Sequence, residues 1–203
     1  MDYGKFIKIR EMYGDCASWA IWQTSDQAPK AGIADLSIFD PTNRKNVIST
    51  LKTNVILVGL NISRADIGES WGNFHSANPR GTDYKLRHAL LGTPLWGCYL
   101  TDILKDYEEV KSSSVEKDLR SNPNLEKLHT KNFKVEVDFV CDAAPVIFSL
   151  GNAADTILRR NFSNYYRIHK LRHYAQTSLS LEQYKIECEE IISDALKFKP
   201  EKK

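Results

Sequence analysis

The chain has 203 residues, 28 basic and 26 acidic, for a formal net charge of +2. That length fits a single domain whose core needs no staples, and the near-balanced charge excludes a globally basic nucleic-acid footprint, so any such surface must be local. No apolar run reaches membrane-spanning length, and the opening MDYGKFIKIREMYG alternates charged with apolar residues, unlike a signal peptide; a cytoplasmic protein with no membrane partner is expected.

Residues 2–14 carry Tyr3, Phe6, Ile7 and Arg10 at helical spacing, and Gly14 can stop that helix. Residues 18–22, SWAIW, fit a helical turn or an edge strand, and periodicity does not decide between them. Trp19 and Trp22 are read as packing residues. Residues 23–45, with Pro29, Gly32 and Pro41, read mostly as loop, and 46–52 as a short helix. Residues 1–50 thus form an extension packed on the domain.

The stretch 54–63, NVILVGLNIS, organises the rest. Val55, Ile56, Leu57 and Val58 form an unbroken, largely β-branched run, the pattern of a strand buried on both faces of a parallel sheet. Gly59 allows a close approach of backbone. Asn61 and Ser63 follow the strand end, where open α/β sheets place their ligand sites.

Residues 64–81 form a long loop without period. Loops longer than about 12–15 residues inside a compact domain are usually functional or disordered. This one carries Trp71, Phe74 and His75, which favours function. Thr82 or Asp83 caps a helix running to about Leu91. A second strand covers 97–104, with Asp102 interrupting its apolar run. Residues 105–130 read as a charged surface excursion with some helix, and 131–142 as an amphipathic helix burying Phe133, Val137, Val140 and Cys141.

A third strand spans 146–150, and Gly151 opens a helix whose free N–H groups face the same sheet edge. Residues 165–171 suggest a fourth strand. Ser180 and Gln183 fit a capping box for the last helix, and 198–203 is a basic tail. Strand–helix alternation gives an α/β protein: a three-layer α/β/α sandwich with a short, mainly parallel central sheet.

Cys16, Cys98, Cys141 and Cys188 are far apart, without a C-x-x-C pair, so buried free thiols are expected, with no metal and no cofactor. Between Thr156 and Leu181 there is no acidic residue. Arg159, Arg160, Arg167, Lys170 and Arg172 alternate there with Phe162, Tyr165, Tyr166 and Tyr174, a composition suited to a phosphate backbone beside a stacked base.

Several blocks together resemble the uracil-DNA glycosylase superfamily, nearest in style to its mismatch-specific and single-strand-selective branches. VGLNIS resembles the first family motif, a strand followed by G-x-N-P-G or a relative. GNFHSANPRGTDY, 72–84, resembles the loop supplying a stacking aromatic. GCYLTDILKD, 97–106, resembles the strand ending in Y-x-T-N and then a lysine. PVIFSLGNAADTIL, 145–158, resembles the strand and glycine turn before the penultimate helix. HYAQTS, 173–178, loosely matches histidine-proline-serine.

The resemblance implies a DNA glycosylase of base excision repair, a hydrolase that cleaves the N-glycosidic bond of a base flipped out of DNA. Asn61 would hold the attacking water and His173 would lie near the departing base oxygen. Gly59, Leu60, Phe74 and Asp102 would surround the base, Phe74 by stacking and Asp102 at its hydrogen-bonding edge. Ser63, Arg167, Lys170, Arg172 and Ser178 would meet the DNA backbone.

The chain departs from the family pattern at three points. Ile62 replaces a proline, the second motif lacks its proline, and Asp102 stands where asparagine is common. An ionised aspartate only accepts hydrogen bonds, so it suits a base presenting donors rather than uracil. The alternative is a non-catalytic protein binding a nucleobase, a nucleotide or modified DNA on the same fold. A monomer is expected.

Overall fold

The computed structural model describes residues 1–23, 28–40, 47–62, 68–76, 78, 80–105, 107, 109, 111–176 and 178–197. Five strands form one sheet: β1 (Ala17–Trp19), β2 (Lys52–Asn61), β3 (Cys98–Leu104), β4 (Val146–Leu150) and β5 (Arg167–Leu171). Their order across the sheet is β1-β3-β2-β4-β5, parallel except for β1, which runs antiparallel to β3. The helices are α1 (Tyr3–Tyr13), α2 (Val47–Thr50), α3 (Asp83–Leu90), α4 (Ser112–Ser121), α5 (Pro123–Val140), α6 (Asn152–Phe162) and α7 (Leu181–Leu196).

β2 is the central strand, and its apolar run divides between two cores because successive side chains point to opposite faces. Ile56 and Val58 pack with Phe133 and Val137 of α5 and with Ile157 and Leu158 of α6. Val55 and Leu57 pack with Leu86 and Leu90 of α3 and with Tyr184 and Ile192 of α7. Full burial of each such side chain is worth about 1.5–3 kcal/mol. The result is the expected α/β/α sandwich.

The connections fix where a ligand could lie. From β2 the chain passes to α3 on one face; from β3 and β4 it passes to α4–α5 and to α6 on the other. Neighbouring strands whose connections leave on opposite faces open a crevice at their carboxyl ends. β2 has such a neighbour on each side.

Of the two forms open to SWAIW, an edge strand is found: Ser18 and Trp19, with the preceding Ala17, lie in register with Leu100, Tyr99 and Thr101. Three elements differ from the sequence reading. A 3₁₀ turn, Leu36–Phe39, sits in a region read as loop and buries Ile38 and Phe39. The amphipathic helix begins at Pro123, eight residues before 131, because proline at the first helical position needs no N–H partner. β2 starts at Lys52, within residues read as helix. The capping box of α7 forms as expected, Ser180 Oγ accepting from Gln183 N and Gln183 Oε1 accepting from Ser180 N.

Candidate functional site

By strand alternation Gly59 faces the α3/α7 side, as Val55 and Leu57 do; Asn61 ends the strand, opposite a leucine that packs in the α5/α6 core. Asp102 of β3 lies opposite Gly59 in register and Leu104 lies opposite Asn61. The contact at Gly59 is close. A Cβ there would stand 2.2 Å from Asp102 Oδ1 and 3.3 Å from Phe74 Cζ. Only glycine leaves room for the carboxylate and the ring together. Gly59, Phe74 and Asp102 thus form one cluster, as the resemblance implies.

Asn61 points its amide in a definite direction. Nδ2 donates to the carbonyls of Ile62, Tyr107 and Glu109 at 3.2, 3.0 and 2.8 Å. All three partners are acceptors, so the nitrogen must face them and Oδ1 must face away. A main-chain anchor therefore presents a rigid acceptor at the end of β2.

His173 sits two residues past β5, against Gly151, whose φ of 88° opens α6. Its ring stacks on Tyr174 at 4.5 Å. Nδ1 accepts from the Ala175 N–H at 3.1 Å, which places the proton on Nε2. Burial holds its pKa below the ordinary histidine value. The group is a neutral donor at the β4 end of the same sheet edge, and β4 lies beside β2.

Asp102 is 2 % exposed and Phe74 5 %. Burial pushes the Asp102 carboxyl up to about 6, against the downward pull of an Asn73 hydrogen bond and the Lys105 charge; Glu136 adds to the rise. His75, beside Phe74 and packed on Trp22 and Phe39, is driven down to about 4 by burial, with its contacts to the Trp19 and Ile33 carbonyls offsetting only part of that.

These two shifts act on stability with opposite sign. Asp102 binds its proton more tightly when folded, so its contribution is complete below pH 3.8 and lost as pH rises through about 6. His75 binds its proton less tightly when folded, so its contribution is present above pH 6.5 and lost as pH falls through about 4. Asp102→Asn should therefore raise unfolding free energy by about 1–3 kcal/mol at pH 7.5. The gain should vanish near pH 4, where only the His75 loss remains. Urea unfolding at both pH values checks this, and no gain at pH 7.5 would refute it.

Other anticipated residues fall elsewhere. The Leu60 side chain packs in the α5/α6 core, on the face away from Asp102, so it offers a base only its backbone. Ser63 lies outside the described residues. Ser178 is exposed, in a loop whose Gln176 and Leu179 carbonyls accept from Lys85 Nζ at 3.2 and 3.1 Å. Arg167 is exposed, and Lys170 Nζ donates to Asn152 Oδ1 at 3.1 Å.

The basic stretch is less open than its composition suggests. Arg172 is paired with Glu187, Arg160 with Glu126 and Arg159 with Asp155. Phe162 and Tyr166 are core residues; Tyr165 is exposed.

The structure adds residues that the sequence reading passed over. Asn73 bonds Asp102. Arg87 of α3 is buried and donates to the carbonyls of Gln23, Pro29 and Ala31, tying down the N-terminal loop. On the opposite sheet face, Tyr99 and Thr101 each donate to Glu136 Oε1 at 2.8 Å, and Lys105 Nζ lies 2.9 Å from Oε2. Lys105 also donates to the Asp102 carbonyl at 2.7 Å. The positions 99, 101 and 105 share one strand parity, and that spacing was the available signal.

No described helix is long and apolar enough to cross a membrane. Protein-family models, curated proteins and solved structures give no match to this chain, so the resemblance rests on the residues above.

Proposed function

We propose that the chain is a DNA glycosylase that hydrolyses the N-glycosidic bond of a flipped, damaged or modified base. The observation that carries the reading is the direction of the Asn61 amide. Its nitrogen is spent on carbonyls, so Oδ1 accepts a hydrogen from a water and turns that water's lone pair toward the sugar. Cleavage breaks the C1′–N bond with its electron pair leaving on the base, and the water oxygen bonds C1′ and sheds its proton to solvent. The His173 Nε2–H meets the charge on the base. An amide is no general base, so the rate comes from positioning and electrostatics.

Asp102 favours a base that presents donors. The test is release from single- and double-stranded DNA carrying uracil, hypoxanthine, xanthine or an alkylated base. Release of a donor-bearing base ahead of uracil is expected; uracil as the fastest substrate, unaffected by Asp102→Asn, would refute the specificity.

One observation favours the alternative, a base- or nucleotide-binding protein without hydrolysis. Asp102, ionised above about pH 6, opposes the negative charge that cleavage builds on the base but not the binding of a donor-bearing base; in either reading Asp102 and Phe74, packed over Gly59, must part for a base to enter. Binding without release of any base in the panel would select this reading.

DNA contact through β5 predicts a graded salt response. Each lost phosphate contact lowers the log–log salt slope by about 1. Arg167→Gln with Lys170→Gln should lower it by about 2, and adding Arg172→Gln should add less, because Glu187 already pairs with Arg172. An unchanged slope in the triple variant would remove this surface from DNA binding.

A further inference from the structure

Residues 71–75 form a turn in which two non-glycine residues, Trp71 and Phe74, have φ of 73° and 64°. Such backbone persists only where its surroundings over-determine it. Here the N-terminal segment does so. Trp71 N donates to the Gly14 carbonyl at 2.7 Å, Ser18 Oγ to the Trp71 carbonyl at 2.8 Å, and Trp22 Nε1 to the Phe74 carbonyl at 3.3 Å. His75 Nε2 lies 3.3 Å from the Trp19 carbonyl.

Asn73, 6 % exposed, sits at the centre of this turn. Its Nδ2 donates to the Cys16 carbonyl at 3.0 Å and to Asp102 Oδ2 at 2.9 Å. Both partners are acceptors, so the amide cannot flip without losing both bonds.

We propose that Asn73 is a positioning residue: it joins the N-terminal segment to β3 and holds the Asp102 carboxylate in the one direction that sets Oδ1 over Gly59 beside the Phe74 ring. The identity of the ligand rests on the glycosylase reading above; the positioning role rests on the geometry. A donor to the ionised carboxylate favours its charged form. The other charged groups acting on Asp102 are Lys105, which favours the anion, and Glu136 of α5, which opposes it. Asn73 therefore keeps Asp102 an acceptor down to a lower pH than burial alone allows.

The test is an NMR titration of the labelled full chain, following the Asp102 carboxyl carbon and the Asn73 side-chain amide from pH 4 to 8. In the unmodified protein both should move together, with one midpoint near the value of about 6 given above. Asn73→Ala should raise the Asp102 midpoint by about half to one unit. Asn73→Asp should raise it further, because two carboxyls would then share one proton. A flat Asn73 amide in the unmodified protein overturns the positioning role, even if both variants fail to fold. So does an unmoved Asp102 midpoint in a folded variant. Free cytosine and free uracil are added to the same samples as probes. If neither perturbs the site while the coupled titration holds, the base-site reading fails and the positioning role stands.

Discussion

Asn61→Ala should lower base release by about 10²–10³-fold while DNA affinity holds, because the substitution removes the acceptor that orients the water and no phosphate contact. The stability cost should be about 1 kcal/mol, since alanine also frees the carbonyls of Ile62, Tyr107 and Glu109. Asn61→Asp separates the two roles. A carboxylate keeps an acceptor toward the water but turns its second oxygen on three carbonyl oxygens. It should be less stable than Asn61→Ala and no more active, although it is the closer isostere. Single-turnover release and urea unfolding on the same preparations give both quantities. Release by Asn61→Ala at the unmodified rate would take Asn61 out of the mechanism.

Glu136→Leu should destabilise the fold by about 3–5 kcal/mol, the cost of leaving a buried charge uncompensated. Glu136 is fully buried, and its Oε1 collects the hydroxyls of Tyr99 and Thr101 and the Lys105 ammonium. Oε2 has no aligned hydrogen bond and is balanced by the same ammonium at 2.9 Å. Burial works against the Lys105 charge, but Glu136, Cys16 and Asp102 together outweigh it and hold the lysine above its ordinary pKa. Tyr99 is held well above the ordinary tyrosine value, by burial first and then by Glu136.

Removing both charges tests the account. Lys105→Met with Glu136→Leu should recover most of the loss, because an ion pair replaced whole by apolar groups is often neutral. Denaturant midpoints for the two single variants and the double close the cycle. A Glu136→Leu protein within about 1 kcal/mol of the unmodified chain would show that the pair carries no structural weight. The same cluster reaches the candidate site, since Lys105 also bonds the Asp102 carbonyl.

Much of the architecture is legible in local pattern. The run from Val55 to Val58 marks a strand covered on both faces, and the two cores show why. The spacing of Phe133, Val137 and Val140 marks the buried face of α5. Ser180 and Gln183 mark the start of α7. Each signal is carried by residues within a turn or two of one another, where period and capping chemistry act directly. The adjacency of Gly59, Asp102 and Phe74 was also anticipated, through the order of blocks along the chain.

Where distant polar groups find partners depends on the folded arrangement. Ala17–Trp19 became a strand because β3 offered it an edge, and a three-residue strand carries too few positions to show a period. Nothing local tells that Asn73 reaches both Cys16 and Asp102. Nothing local tells that the Asn61 nitrogen meets two carbonyls beyond β3, or that Arg172 finds Glu187. Local pattern sets which elements form and which faces they bury, because hydrophobic period is a property of neighbours. The direction of each site amide and the packing of Asp102 and Phe74 over Gly59 were settled by strand order, register and loop contacts. Those bring together groups tens of residues apart, and a buried hydrogen-bonding group must be satisfied wherever its partner lies.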